Sequence, residues 1–318
     1  VVENFTLGTM ESFDLGYDVL KAHNRRIIYA TIKGFGTSGP YKDYKSFDPV
    51  AQAAGGALSV TGERNGPPMR PAPTFGDTGA GLNTAIGILA AYIQTQRTGE
   101  GQVVEVSMQE SMINFMRTQL SFRERYDDGV VPRRGNRAIS PTNLYPCAPG
   151  GPNDYVMLMV VTDRMWDALI TAIGRPELGT DARFATVRGR LDNGDALDEE
   201  IGVWTRQHTK FEVMEYLAEH CVPASAVYDT SDILEHPHLV ERGQVVTYDH
   251  PTRGQLKMPA PVIRMSDSQV DMSRAPLLGE HSAEVLQQEL ALAQSEIERL
   301  TETKVVRMQP QPRKAVVP

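Results

Sequence analysis

The sequence predicts an α/β protein, with a larger half built on a parallel sheet and a smaller α+β domain after it. Three observations carry that expectation. "RRIIYATIKGFG" (Arg25–Gly36) has a β-branched, apolar centre and ends in glycines, as a buried strand followed by a loop does. Beyond Asp77 the period changes, and Leu82, Ala85, Ile86, Leu89, Ala90 and Ile93 follow helical spacing to about Arg97. "VVEVSM" (Val103–Met108) returns to strand, so residues 1–122 alternate strand and helix, the pattern of a parallel sheet.

In chain order, "VVENF" (Val1–Phe5) reads as the end of a buried strand and does not begin with Met, so an N-terminal portion is expected before it. Residues 37–76 are rich in Gly and Pro and read as irregular, apart from a short helix at "DPVAQAAGG" (Asp48–Gly56). The glycines of "RTGEGQ" (Arg97–Gln102) end the long helix, and "SMQESMINFMRTQLSF" (Ser107–Phe122) supplies the next one. Residues 123–154 are charged, then Pro- and Gly-rich, and read as a linker or active-site loop. "YVMLMVV" (Tyr155–Val161) is a strand and "TDRMWDALITAIG" (Thr162–Gly174) a helix capped by Thr162 or Asp163. Helices near 195–207 and 210–220 follow, then short strands at "PASAVY" (Pro223–Tyr228) and "QVVTYDHP" (Gln244–Pro251) and an extended segment, "LKMPAPVIRM" (Leu256–Met265). Two helices lie beyond Arg274, and the polar end "RMQPQPRKAVVP" (Arg307–Pro318) is expected to fray. Trp166 and Trp204 read as core or domain-packing residues.

A net charge of −8 argues against nucleic acid or an anionic membrane as the main partner, and leaves room for a local basic pocket. Two cysteines, Cys147 and Cys221, cannot build a disulfide framework or a four-thiolate metal site, and the chain reads as cytosolic. No run approaches the ~18 apolar residues of a membrane span, and no stretch of this sequence reads as a signal peptide. His236 and His238 stand two apart around Pro237, not at the i, i+4 spacing of a helical metal pair, so no metal is expected. His220 and Cys221 are adjacent, and neighbours on a helix do not face one another.

Asp77 sits among Gly76, Gly79 and Gly81 ahead of the long apolar helix. One reading is an N-cap; another is a nucleophilic carboxylate, kept ionised by the helix dipole and free N–H groups. The glycines would let a substrate approach, and their N–H groups would hold an oxyanion. The two roles are compatible. "GFGTSGPYKDYKSFD" (Gly34–Asp48) reads either as a long surface loop or as a ligand loop: it follows a strand, at the edge where α/β sheets bind ligands, and Lys42 and Lys45 would meet phosphates there. It lacks G-x-x-x-x-G-K-[ST] and is not a Walker loop.

Taken in order, "VVENF", "RIIYATIKGFGTSGPY", "FDPVAQAAGG", "GDTGAG", "RTGEGQVVEVSMQES" and "RAPLLGEH" resemble the family III CoA-transferases of CaiB/BaiF type, from Val1 to about Glu289. The resemblance implies a Rossmann-like large domain with a second, smaller domain, and an interlocked homodimer with active sites at the interface. It divides the chain into a large domain at 1–125, a linker or active-site loop at 126–154, a small α+β domain at 155–255, and a return segment with C-terminal helices at 256–318. It implies that Asp77 attacks an acyl-CoA thioester and that CoA passes to a small carboxylic acid, with CoA as substrate and no permanent cofactor or metal. CoA contacts carry over to Asn4 and Phe5 of "ENF" and to Thr6 after it, and to Tyr44, Lys45, Ser46 and Phe47 of "YKSF". The sequence departs from the family pattern in three places. About the first 90 residues of the family fold precede Val1, Ser12 stands near a frequent arginine, and "GNRAISPTNLYP" (Gly135–Pro146) lacks the glycine run of the oxalate-specific enzyme. The last argues against oxalate as preferred acceptor. Related racemases carry a histidine where this chain has Ser46. A racemase and a non-catalytic relative are the competing readings.

Overall fold

Val2–Glu3 (β1), Tyr29–Lys33 (β2) and Val103–Ser107 (β3) pair in parallel in the order β1-β2-β3, with Glu3 beside Thr31 and Lys33 beside Ser107. The chain, a computed structural model, is described over residues 1–137, 141–268, 270 and 272–308. It divides into two units, one of Val1–Pro149 with Tyr155–Ser225, the other of Gly150–Asp154 with the residues from Ala226 on. These bounds differ from those expected in the sequence. In the first unit β2 is central, and its residues are buried or half-buried, as a strand covered on both faces requires. β1 is less buried than the sequence suggests: Val1 and Val2 are exposed and only Glu3 is buried.

Thr9–Ser12 (α1) and Tyr17–His23 (α2) lie between β1 and β2, and Asp48–Ala54 (α3) and Ala57–Val60 (α4) follow β2. The long helix, Phe75–Thr98 (α5), ends at Gly99, whose φ of 75° is the left-handed cap the glycines of "RTGEGQ" predict. Gly101 passes so close to β2's approach that a Cβ there would lie 1.8 Å from the Ile27 carbonyl oxygen. The obstacle is backbone and cannot turn aside. Gly101→Ala is therefore expected to lower stability by at least about 1–3 kcal/mol, the range for overpacking, read as a fall in Tm.

Met108–Phe115 (α6) and Arg117–Phe122 (α7) divide at Met116, where the sequence predicts one helix. Ala51, Ala57, Ala80, Met108 and Met112 form the core behind the sheet, with Ile32, Val106 and Met116 packed on it. α5 meets this core through small residues, Gly76, Gly79, Ala80 and Thr84. Its stripe of Leu82, Ile86, Leu89 and Ile93 is exposed, although such spacing ordinarily marks a core-facing side.

The rest of the first unit has its own core around Tyr145, Leu158, Trp166, Leu169, Phe184, Leu197, Ile201 and Leu217. Asn143–Pro146 (β4), inside the expected linker, pairs antiparallel with Tyr155–Leu158 (β5). Helices Asp163–Ala172 (α8), Val187–Asp192 (α9), Gly194–Thr205 (α10) and Lys210–Glu219 (α11) pack there, and Ala224–Ala226 (β6) is the third strand. Thr162 caps α8 by accepting the Met165 N–H, which decides between Thr162 and Asp163. Trp166 is buried in this core, with the Arg190 guanidinium 4.9 Å from its ring, and Trp204 packs against its edge.

The second unit holds Thr230–Glu235 (α12), Pro237–Glu241 (α13), a hairpin of Val245–His250 (β7) and Gly254–Pro259 (β8), then Ser282–Gln288 (α14) and Gln294–Glu302 (α15). Residues 309–318 of the expected frayed end, and 138–140 of the expected active-site loop, lie outside the described residues. No helix among the described residues is long and apolar enough to cross a membrane.

Candidate active site

Asp77 is the third residue of α5 and not its cap. The cap position belongs to Thr74, whose side chain makes no capping bond. The capping carboxylate comes from α3: Asp48 Oδ1 accepts the Gly76 N–H at 2.8 Å and lies 3.4 Å from the Asp77 N–H. Asp48 is only 6% exposed, and its Oδ2 accepts from Gln52 Nε2 at 2.7 Å, which also donates to the Pro73 carbonyl at 3.1 Å. Asp48 thus joins α3, the chain before α5, and the first turn of α5. Asp77 keeps its own carboxylate exposed.

The same arrangement works against the helix-end effect expected for Asp77. A helix N-terminus favours a charged carboxylate, but desolvation, and then the neighbouring Asp48, push the Asp77 carboxyl above its ordinary range. The glycines also play other parts than expected. The Gly76 N–H is taken by Asp48. Gly79 and Gly81 lie inside α5, where amides bond back to carbonyls four residues earlier, so neither is placed as an oxyanion donor. What they provide is space. A Cβ at Gly79 would lie 2.4 Å from the Phe115 ring, whereas one at Gly81 meets nothing within 4 Å.

A cleft of about 780 Å³ opens beside Asp77. Its lining includes Asn4, Phe5 and Thr6 after β1, Tyr44, Lys45, Ser46 and Phe47 before α3, and Asp77, Ala80 and Gly81 on α5. The structure therefore gathers three motifs far apart in sequence, while Gly76 and Gly79 stay behind the cleft wall in contact with α3 and α6. Gly34 fixes the middle motif: a Cβ there would be 2.2 Å from Ser46 Cβ, so the loop rests directly on the end of β2. Lys42 and Lys45 both line the cleft and have no carboxylate partner among the described residues. Phe47 and Tyr44 are exposed aromatic surfaces at its edge. Ser12 is not part of the lining; its hydroxyl donates to the Thr9 carbonyl at 2.7 Å.

Three residues of the site were not singled out in the sequence: Asp48, Gln52 and Lys33. Asp48 carried a local signal, an Asp before Pro at a helix start, but its reach to Gly76 spans 28 positions. Lys33, buried at the end of β2, also lines the cleft.

Residues 1–282 match the sequence model described as CoA-transferase family III. A formyl-CoA:oxalate CoA-transferase of Streptomyces avermitilis is 40% identical over 96% of this chain and 78% of its own length. A succinyl-CoA–D-citramalate CoA-transferase of Chloroflexus aurantiacus is 33% identical over 96% of this chain and 76% of its own. Among solved structures, a CaiB/BaiF family protein from Brucella suis superposes with a TM-score of 0.78 at 31% identity, over 90% of this chain and 74% of that one. The chain belongs to the family III CoA-transferases.

Proposed function

We propose that this transferase moves CoA from an acyl-CoA thioester to a small carboxylic acid, with Asp77 as the covalent nucleophile. The observation that carries the reading is the single cleft joining Asp77 to the Asn4–Thr6 and Tyr44–Phe47 segments. A carboxylate oxygen of Asp77 attacks the thioester carbonyl, and the C–S bond breaks to give an aspartyl mixed anhydride and CoA thiolate. The thiolate attacks the Asp77 carbonyl, releasing the donor acid and leaving an aspartyl-CoA thioester. The acceptor carboxylate then attacks this thioester, expelling thiolate and forming a second anhydride. Thiolate attack on the acceptor's carbonyl yields the new acyl-CoA and restores the Asp77 carboxylate. One anion is consumed and one released at each step, so no proton is transferred. The exchange is divided into reversible acyl transfers between good nucleophiles.

The exposed side chain of Asp77 faces a region where Gly81 leaves room for the thioester. Lys42 and Lys45 supply positive charge for the nucleotide phosphates. Lys45→Ala is expected to raise the KM for acyl-CoA roughly tenfold, the loss of one charged hydrogen bond, with kcat nearly unchanged. The family's Rossmann-like architecture and interlocked homodimer are part of the same reading. The exposed stripe of Leu82, Ile86, Leu89 and Ile93 is consistent with a helix that another chain covers. A cytoplasmic setting fits the CoA substrate.

No histidine lines the cleft among the described residues, so an α-proton shuttle lacks its second base there. The deciding experiment incubates the chain with acyl-CoA and measures its intact mass, then traps the ester-level adduct with hydroxylamine. Modification at Asp77 supports the transferase. Exchange of an α-proton in deuterated water without CoA transfer would indicate the racemase, and no adduct or turnover a non-catalytic role.

A further inference from the structure

Two charged residues that the mechanism does not use are buried beside the Asn4–Thr6 segment of the cleft, and one of them, Lys33, is part of its lining. Glu3 on β1 stands beside Thr31 on β2, and Lys33 follows two positions on, so all three side chains share one face of the sheet. The Glu3 and Lys33 side chains are 5% and 8% exposed. Lys33 Nζ donates to both Glu3 carboxylate oxygens at 2.6 and 2.7 Å, and its third donor goes to the Phe5 carbonyl at 2.7 Å. Glu3 Oε2 accepts the Phe5 N–H at 2.9 Å, while Oε1 accepts from the Thr31 hydroxyl. The ion pair thus holds both backbone polar groups of Phe5, at the point where the chain leaves β1.

A buried pair of opposite charges seldom repays the loss of its hydration, and an apolar pair is often as stable. Its value here lies in what it orders. Asn4, Phe5 and Thr6 belong to no helix or strand, yet all three line the cleft, and Phe5 keeps half its surface exposed. We propose that Glu3 and Lys33 are positioning residues that fix the Asn4–Thr6 bend in the shape that receives the CoA moiety. The inference rests on the reading of this cleft as the CoA site. Prior ordering of a binding segment lowers the entropy lost on binding, so the pair acts on affinity and not on the chemical step.

Hydrogen exchange and CoA binding test this together. In the unaltered chain the Phe5 amide, though outside any strand, is expected to exchange about as slowly as the amides of β2. Removing one charge would strand the other, so the informative variant is the double substitution Glu3→Gln with Lys33→Met. It is expected to fold, to expose the Phe5 amide to faster exchange, and to weaken CoA binding about tenfold. Rapid Phe5 exchange in the parent, or a folded double variant with unchanged CoA affinity, would overturn the proposal. A double variant that cannot fold would assign the pair to the fold itself and overturn it equally. Failure of the parent to bind CoA would instead refute the reading of the cleft, and the exchange measurement would stand apart from it.

Discussion

Asp77→Ala is expected to lower CoA transfer by at least about a thousandfold, because the variant has no group to form the anhydride. CoA binding should persist, since Asn4–Thr6 and Tyr44–Phe47 line the cleft independently of the carboxylate. Stability is the more informative measurement. The Asp77 carboxyl is raised above its ordinary range by desolvation and by Asp48. A carboxyl with a raised folded-state pKa binds its proton more tightly in the folded chain. Its favourable contribution is present below the unfolded carboxylate value and is lost as pH rises through the folded one. At neutral pH the charged Asp77 therefore weighs against folding. The alanine variant should unfold at a temperature equal to or above the parent's at pH 7, with the difference closing as pH falls through the carboxylate range. Turnover near the parental rate would refute the nucleophile, and a large fall in Tm would mean that Asp77 is needed for the fold.

The candidate site was legible in the sequence where its proposed members are local. Asp77 stands out because a carboxylate among glycines before an apolar run is a local pattern, and Lys45 because it follows a strand end. What the sequence hid depends on distance or on context. The cap of α5 is supplied by Asp48 from another helix, so Asp77 looked like the cap by position alone. The Glu3–Lys33 pair was hidden because charge at the end of an apolar strand ordinarily marks emergence into solvent, not a buried bond. β4 contains Asn143 and Pro146, residue types that favour turns, and only its pairing with β5 makes it a strand. The stripe on α5 shows the converse limit. Its helical period was plain, but period alone does not say what covers a face, and here the described chain covers the small-residue side.

Asp48 combines two roles that two substitutions separate. Asp48→Asn removes the charge and keeps an oxygen for the Gly76 N–H. The new amide would face Gln52 Nε2, so the Gln52 amide must turn, presenting the Oε1 that now has no partner and giving up its bond to Pro73. Asp48→Ala removes both charge and acceptor. The buried Gly76 amide is then unsatisfied, which costs about 1–3 kcal/mol, and the first turn of α5 is free to shift. A displacement of about 1 Å at the nucleophile is worth roughly a hundredfold in rate. In the proposed mechanism Asp77 attacks as a carboxylate, so its pKa would set the acid limb of kcat/KM, and Asp48, which raises that pKa, would hold the limb higher. In the asparagine variant the limb should move to lower pH while activity at neutral pH remains substantial. In the alanine variant activity at neutral pH should fall roughly a hundredfold, with the acid limb moved as in the asparagine variant and a lower Tm. An acid limb unmoved by Asp48→Asn would show that the Asp48 charge is not felt at the nucleophile. Equal activity in the two variants would show that the long-range cap does not place it.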